Sequence, residues 1–307
     1  MKATFRQKYP NYLPLCYIIF LILRKVIRQG QLRCLEARAK KKPINPEFQD
    51  GLGEWNQERG LKNPLDAINK PAFWIDEDFN DPSIKELVSK MIALRVLLDA
   101  RRLHYCSPAG TFIPNTYIER TAKIKMWENS WVIRHSKVRP KDIVLDLGGA
   151  SALFSFYLAS IGCSVRVIDN DWGNCGIVYN TNYVARIMNW DIKAYNYDLS
   201  KPLPFKDSIF DRVFLICVIE HLSCAVRRSV MKEVSRVLKS GGIVSLTLDY
   251  DPERNCLLSD KGLRFAYREK IERDIIQPSG LKVLGNQEWL DAVSQKSFLG
   301  SLFLEKH

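Results

Sequence analysis

From Pro140 onward, short runs of Val, Ile and Leu alternate with longer segments of helical periodicity, and this alternation constrains the fold of the 307-residue chain more than any other feature. The apolar runs cover 143–147, 165–168, 192–197, 212–218 and 243–248, and the helical segments cover 153–161, 174–189 and 225–238. Short apolar strands joined by helices bury both faces of a parallel sheet, with the helices packed on either side. The tail adds a helix near 265–277, a strand at 281–284 and a last strand at 298–304. No internal repeat and no low-complexity tract interrupts the pattern.

The chain ahead of Pro140 is organised differently. The formal net charge is +12, and residues 1–42 carry +10 of it, from eleven Lys and Arg against Glu36. That leaves +2 on residues 43–307, so the folded body is nearly neutral and is not expected to bind nucleic acid. Residues 9–23 are uncharged and 13–23 almost purely apolar. This stretch is shorter than the roughly 17–25 residues of a spanning helix. It runs into Arg24-Lys25 and not into a small-residue cleavage site, which marks an uncleaved interfacial anchor, or otherwise a buried helix. A peripheral position on the cytoplasmic membrane face is expected. Residues 43–82 hold five prolines among scattered aromatics such as Trp55, Phe73 and Trp74 and read as irregular packed structure. Asp81-Pro82 then supplies an N-cap and a first-turn proline. Ile84, Leu87, Val88, Met91, Leu94 and Leu98 follow at helical spacing, and a second helix over about 116–136 carries Trp127 and Trp131 four apart. The eight cysteines include no Cys-x-x-Cys pair, which points to a reducing compartment and no metal.

The chemistry-bearing positions lie at the strand tips. Strand 143–147 carries Asp146 and runs into Gly148-Gly149-Ala150-Ser151-Ala152, small residues that turn into a helix whose N-terminus favours an anionic group. Asp169 closes the next strand, 23 residues after Asp146, where a nucleotide-binding fold places an acid on ribose hydroxyls. A helix cap is the structural alternative there. Asp198 follows the third strand, positioned either to accept an adenine amine or to close a turn. Glu220 and His221 follow the fourth strand.

Taken in order, Leu145-Asp146-Leu147-Gly148-Gly149, Asp169, Leu203-Pro204-Phe205 with Asp211, Glu220-His221-Leu222 and Arg236-Val237-Leu238-Lys239-Ser240-Gly241-Gly242 resemble the motifs of class I S-adenosylmethionine-dependent methyltransferases, of the type 11/25-like kind. The resemblance covers about 140–250 closely. It implies an α/β fold, a Rossmann-like doubly wound seven-stranded sheet with an antiparallel last strand, plus an N-terminal helical lid. The expected division is an N-terminal segment 1–42, a lid or substrate region 43–135 and a methyltransferase domain 136–307. The resemblance implies S-adenosyl-L-methionine as cofactor. Asp146 with Gly148, Gly149 and Ser151 would hold its methionyl part, Asp169 the ribose, and Asp198 with Leu199 the adenine. Asn170 and Cys217 are also expected among the cofactor contacts. The family usually reads Asp-x-Gly-x-Gly-x-Gly, whereas Ala150 and Ala152 stand here for the second and third glycines. The Ala150 methyl crowds backbone approach unless Gly149 takes over that role.

His221 is the expected general base if the acceptor is a hydroxyl; its structural alternative is a packed helix-start histidine. His104 and Tyr105 are further candidates. The acceptor is expected to be a small or lipid-linked molecule, a saccharide or isoprenoid among them. Two other readings compete. An NAD-dependent oxidoreductase would carry a Gly-x-Gly-x-x-Gly, which is missing from the sequence. A non-catalytic binding protein of the same fold would bind cofactor without methyl turnover.

Overall fold

The computed structural model describes residues 67–70, 75–105, 116–170, 176–249, 268–287 and 299–307. The expected anchor at 1–42, the aromatics Trp55, Phe73 and Trp74, and residues 265–267 of the expected tail helix lie outside these described residues.

Seven strands form one sheet: β1 (Ile143–Leu147), β2 (Ser164–Asp169), β3 (Ile192–Asn196), β4 (Phe210–Ile216), β5 (Leu238–Leu248), β6 (Lys282–Val283) and β7 (Gly300–Glu305). Their order is β3-β2-β1-β4-β5-β7-β6. The first five run parallel, β7 runs antiparallel to β5, and β6 runs antiparallel to β7. The doubly wound sheet with an antiparallel last strand is therefore the one the chain forms. Strand order reverses between β1 and β4, and in open parallel sheets that reversal opens a crevice at the carboxyl ends of the strands.

Among the described residues the helices are α1 (Ile75–Asp78), α2 (Pro82–Ala100), α3 (Thr116–Ser136), α4 (Leu153–Ser160), α5 (Ile177–Met188), α6 (Cys224–Val237), α7 (Arg268–Ile271) and α8 (Gln277–Ser279). A 3₁₀ turn spans Ile219–His221, and a π turn, Glu272–Ile276, joins α7 to α8. The expected tail helix is thus three short pieces. The expected cap forms: Asp81 Oδ1 accepts the Ser83 N–H at 2.7 Å at the start of α2. Helix α5 begins at Ile177, after left-handed Gly176.

Strand periodicity sorts the core into two layers. Val144, Val165, Val167 and Phe214 face α2, α3, α4 and α5, whereas Leu145, Leu147, Val213 and Leu215 face α6 and the π turn. Asp146 shares its parity with Val144 and so points toward α4, a geometry that decides the site below. Helix α3 belongs to the first layer. Trp127 is fully buried and donates from Nε1 to Asp78 Oδ2 at 2.6 Å, while Trp131 stacks on it at 5.6 Å. Lys70 pairs with Asp78 at 2.8 Å and lies 4.2 Å from the Trp131 ring. Both tryptophans are thereby used in packing, the core role that aromatic residues four apart usually have. Burial pushes His135, wedged between Trp131 and Phe303, down to about 3, so it is neutral. No helix among the described residues is long and apolar enough to cross a membrane.

Candidate active site

The tip of β1 fixes the first half of the site. Gly148 has φ +82°, and a Cβ there would stand 2.5 Å from Val218 Cγ2. A Cβ on Gly149 would stand 1.9 Å from Asp146 Oδ2, so the turn closes over the carboxylate only because residue 149 has no side chain. Gly149 does take the close-approach role, but toward Asp146 and from within the protein. Ala150 is buried, and its N–H donates to Asp169 Oδ2 at 3.0 Å, tying the β1 turn to the tip of β2.

Asp146 is 1% exposed. Its Oδ2 accepts from the Ser155 hydroxyl at the start of α4, and its Oδ1 has no hydrogen-bond partner among the described residues. Burial pushes this carboxyl up to about 7, and the nearby Asp169 charge adds to the effect. Ser151 sits at φ +60° with its hydroxyl turned inward. It donates to the Ile177 carbonyl at 2.9 Å and accepts from Asn180 Nδ2 at 2.8 Å, while its N–H meets Thr181 Oγ1 at 2.6 Å. The serine therefore locks the turn against α5. Asn180 also donates to the His104 carbonyl at 2.9 Å, which draws the end of the α2 segment to the same corner. Tyr105 donates to Asp99 at 3.3 Å, and burial raises its hydroxyl to about 12.

The remaining expected contacts occupy neighbouring tips. Asn170 is exposed just beyond Asp169. Asp198 is exposed, and its Oδ1 accepts the Ser200 N–H at 2.9 Å, a bond that holds its carboxyl below the ordinary range. Leu199 is half-buried against the second core layer.

Past the tip of β4 the structure gathers a polar cluster that sequence reasoning mostly missed. Cys217 is held at φ +53°, its N–H shared between the Thr247 carbonyl at 3.0 Å and Thr247 Oγ1 at 3.1 Å. Its Sγ lies 2.9 Å from Glu128 Oε1 and 3.2 Å from Lys125 Nζ. Glu128 is fully buried, accepts from Thr247 Oγ1, and pairs with Lys125 at 2.5 Å. Burial acts to lower the Lys125 ammonium, but Glu128 and Cys217 outweigh it and hold it above its ordinary range. Burial and the same carboxylate push the Cys217 thiol well up. Glu220 is also fully buried: Oε1 accepts the Asp249 N–H at 3.3 Å, and Oε2 has no partner among the described residues. Burial, then the Asp249 charge, raises Glu220 to about 8. His221 is exposed one residue further on, with its backbone N–H bonded to the Val218 carbonyl at 3.0 Å. One signal available in the sequence was Asp249, an acid directly after an apolar strand, as Asp169 is.

Residues 145–246 match the family described as Methyltransferase domain. A search of curated protein sequences gives no match. The [4+2]-cyclase SpnF shares the fold, at 16% identity over 66% of this chain and 86% of that one, with a TM-score of 0.50. A SAM-dependent methyltransferase from Methanosarcina mazei aligns at 20% identity over 57% of this chain and 96% of its own, TM-score 0.44. One from Aquifex aeolicus aligns at 16% identity over 63% and 98%, TM-score 0.45. The matched segment runs from β1 into β5, and with the strand order it supports a methyltransferase-type domain over that part of the chain.

Proposed function

We propose that the chain transfers the methyl group of S-adenosylmethionine to a small or lipid-linked acceptor, a saccharide or isoprenoid being the kinds favoured. The observation that carries the cofactor reading is Asp146 Oδ1, a buried carboxylate oxygen without a partner among the described residues, beside the exposed Gly148 at the sheet's reversal point. An uncompensated buried carboxylate is costly, and an ammonium supplies the missing donor and charge. The residues therefore fit the cofactor: Asp146 for its amino group, Asp169 and Asn170 for its ribose, and Asp198 with Leu199 for its adenine. Asp169 already holds Ala150 N–H through one oxygen, so the turn and the ribose acceptor are set together.

When bound, the cofactor supplies a methyl group already activated by its sulfonium. The chain then has to hold the acceptor in line, exclude water and receive a proton. His221, exposed beside the tip of β4, is the residue of this reading that takes a hydroxyl proton. The basic, apolar segment 1–42 supports a membrane-borne acceptor, since it combines eleven cationic residues with an almost purely apolar stretch at 13–23.

Calorimetry of the full-length chain with S-adenosylmethionine or its demethylated product tests the reading. Binding is expected, and Asp169→Ala should weaken it by about 1.5–3 kcal/mol through loss of charge-assisted hydrogen bonds. No binding by the wild type overturns the proposal. Incubation with methyl-labelled cofactor and separated lipid and polar extracts then reads the acceptor class. Cofactor binding with label in neither extract favours the non-catalytic alternative.

A further inference from the structure

We propose that Cys217, Glu220 and Asp249 bind a divalent cation of the zinc type at the carboxyl ends of β4 and β5. One donor atom from each residue lies within 4.8 Å of the other two. Cys217 and Glu220 are three residues apart across the turn after β4, and the parallel pairing of β4 with β5 brings Asp249, 29 residues further on, to them.

Charge and hydrogen bonding select these three from the larger cluster. Lys125 sits 2.5 Å from Glu128, so that buried acid has its own cation. Glu220, by contrast, is fully buried with Oε2 unpartnered among the described residues, and Asp249 supplies a second carboxylate beside it. Two carboxylates held this close repel, and a divalent cation between them removes both the repulsion and the orphaned oxygen. One sulfur and two carboxylate oxygens make a mixed set that suits zinc better than magnesium or calcium, which take oxygen alone. Three protein ligands leave one tetrahedral position for an outside group, the arrangement of catalytic zinc sites. The Cys217 backbone is pinned to Thr247, and Lys125 Nζ, 3.2 Å from Sγ, is a donor that supports a metal-bound sulfur; Glu128 Oε1, 2.9 Å from Sγ, accepts the thiol proton that metal binding has to displace. On binding, the thiol proton leaves to solvent and the metal takes its place. The site stands on its own geometry and holds whether or not the cofactor reading does.

The test uses the full-length chain, stripped with a chelator and titrated with cobalt(II) alone. A single equivalent should bind and give a near-ultraviolet thiolate-to-cobalt band. Cys217→Ser should abolish that band. Glu220→Gln, which keeps shape, should weaken cobalt binding by more than the roughly 10–100-fold that loss of an outer-shell partner causes. Should Cys217→Ser fail to fold by circular dichroism, the Glu220→Gln isotherm decides. No uptake by folded wild type, a band that persists in Cys217→Ser, or an unchanged isotherm in Glu220→Gln overturns the proposal. Glu220 would then be a neutral buried acid.

Discussion

Replacing Asp146 by Asn should stabilise the cofactor-free protein above neutral pH and weaken its cofactor binding at the same time. The carboxyl is buried, held on one side by Ser155, unpartnered on the other among the described residues, and raised to about 7. In the unfolded chain an aspartate titrates near 3.9, so the folded state binds this proton more tightly by about 3 pH units, worth about 4 kcal/mol as an upper bound. Stability linked to Asp146 is therefore fully present below about pH 4, declines as pH rises toward about 7, and is flat above that. Asp146→Asn keeps the shape and an acceptor for Ser155 but has no proton to lose. Urea unfolding at a series of pH values should show the variant gaining on the wild type by up to about 4 kcal/mol between about pH 4 and about pH 8. Other buried acids such as Glu220 titrate in both proteins and cancel in the difference. Cofactor binding at about pH 7 should release a proton in the wild type, because an ammonium favours the ionised carboxylate. The calorimetric heat should then depend on the buffer's ionisation enthalpy in the wild type and not in the variant. Parallel stability curves for the two proteins, or a buffer-independent heat in the wild type, would refute the reasoning.

Two further outcomes are expected. Gly149→Ala places a methyl where Asp146 Oδ2 stands, 1.9 Å from the ideal Cβ position, and neither the backbone nor the locked carboxylate yields easily; the melting temperature should fall by an amount equivalent to about 1–3 kcal/mol or more, with cofactor affinity lost in parallel. Deleting residues 1–42 should release the protein from anionic vesicles in a sedimentation assay without changing cofactor affinity, since each cationic residue near such a surface contributes about 1 kcal/mol; a full-length chain that never sediments with vesicles removes the anchor.

The sheet was legible because its strands are short apolar runs between helical segments, a contrast that survives without tertiary information. Helix α3 emerged at the expected 116–136, and α2 with the expected Asp81 cap, because tryptophan spacing and proline placement are local signals. The tail helix was less legible: residues 268–279 form two short helices around a π turn, in which buried Asp274 meets Arg227, Arg228 and Arg273. That ion cluster is made across α6 and cannot be seen in the periodicity of 265–277. Ser151 shows the same limit in the loop. Its position in the motif was plain, but its hydroxyl turns toward Ile177 and Asn180, a direction set by φ +60° and not by residue type.

The polar cluster at β4 and β5 marks where sequence reasoning stops, and the reason is physical. Lys125, Glu128, Cys217, Glu220, Thr247 and Asp249 come from a helix, two strand tips and a 3₁₀ turn; the turn follows β4 directly, but the helix and the tip of β5 reach it only when the parallel sheet forms. Each residue alone has an ordinary reading: a helix-surface ion pair, a small apolar thiol, a strand threonine, a turn acid. Burial changes what they are. It removes water from Glu128 and Glu220 together, so that the first takes Lys125 and Thr247 as partners and the second keeps one oxygen unpaired among the described residues. A protein that only needed a stable sheet edge would place apolar side chains there, as it does at Leu246 and Leu248 one position to either side of Thr247. Retaining two buried carboxylates at the carboxyl edge costs stability: Lys125 and Thr247 offset it for Glu128, and the proposed cation is the offset for Glu220.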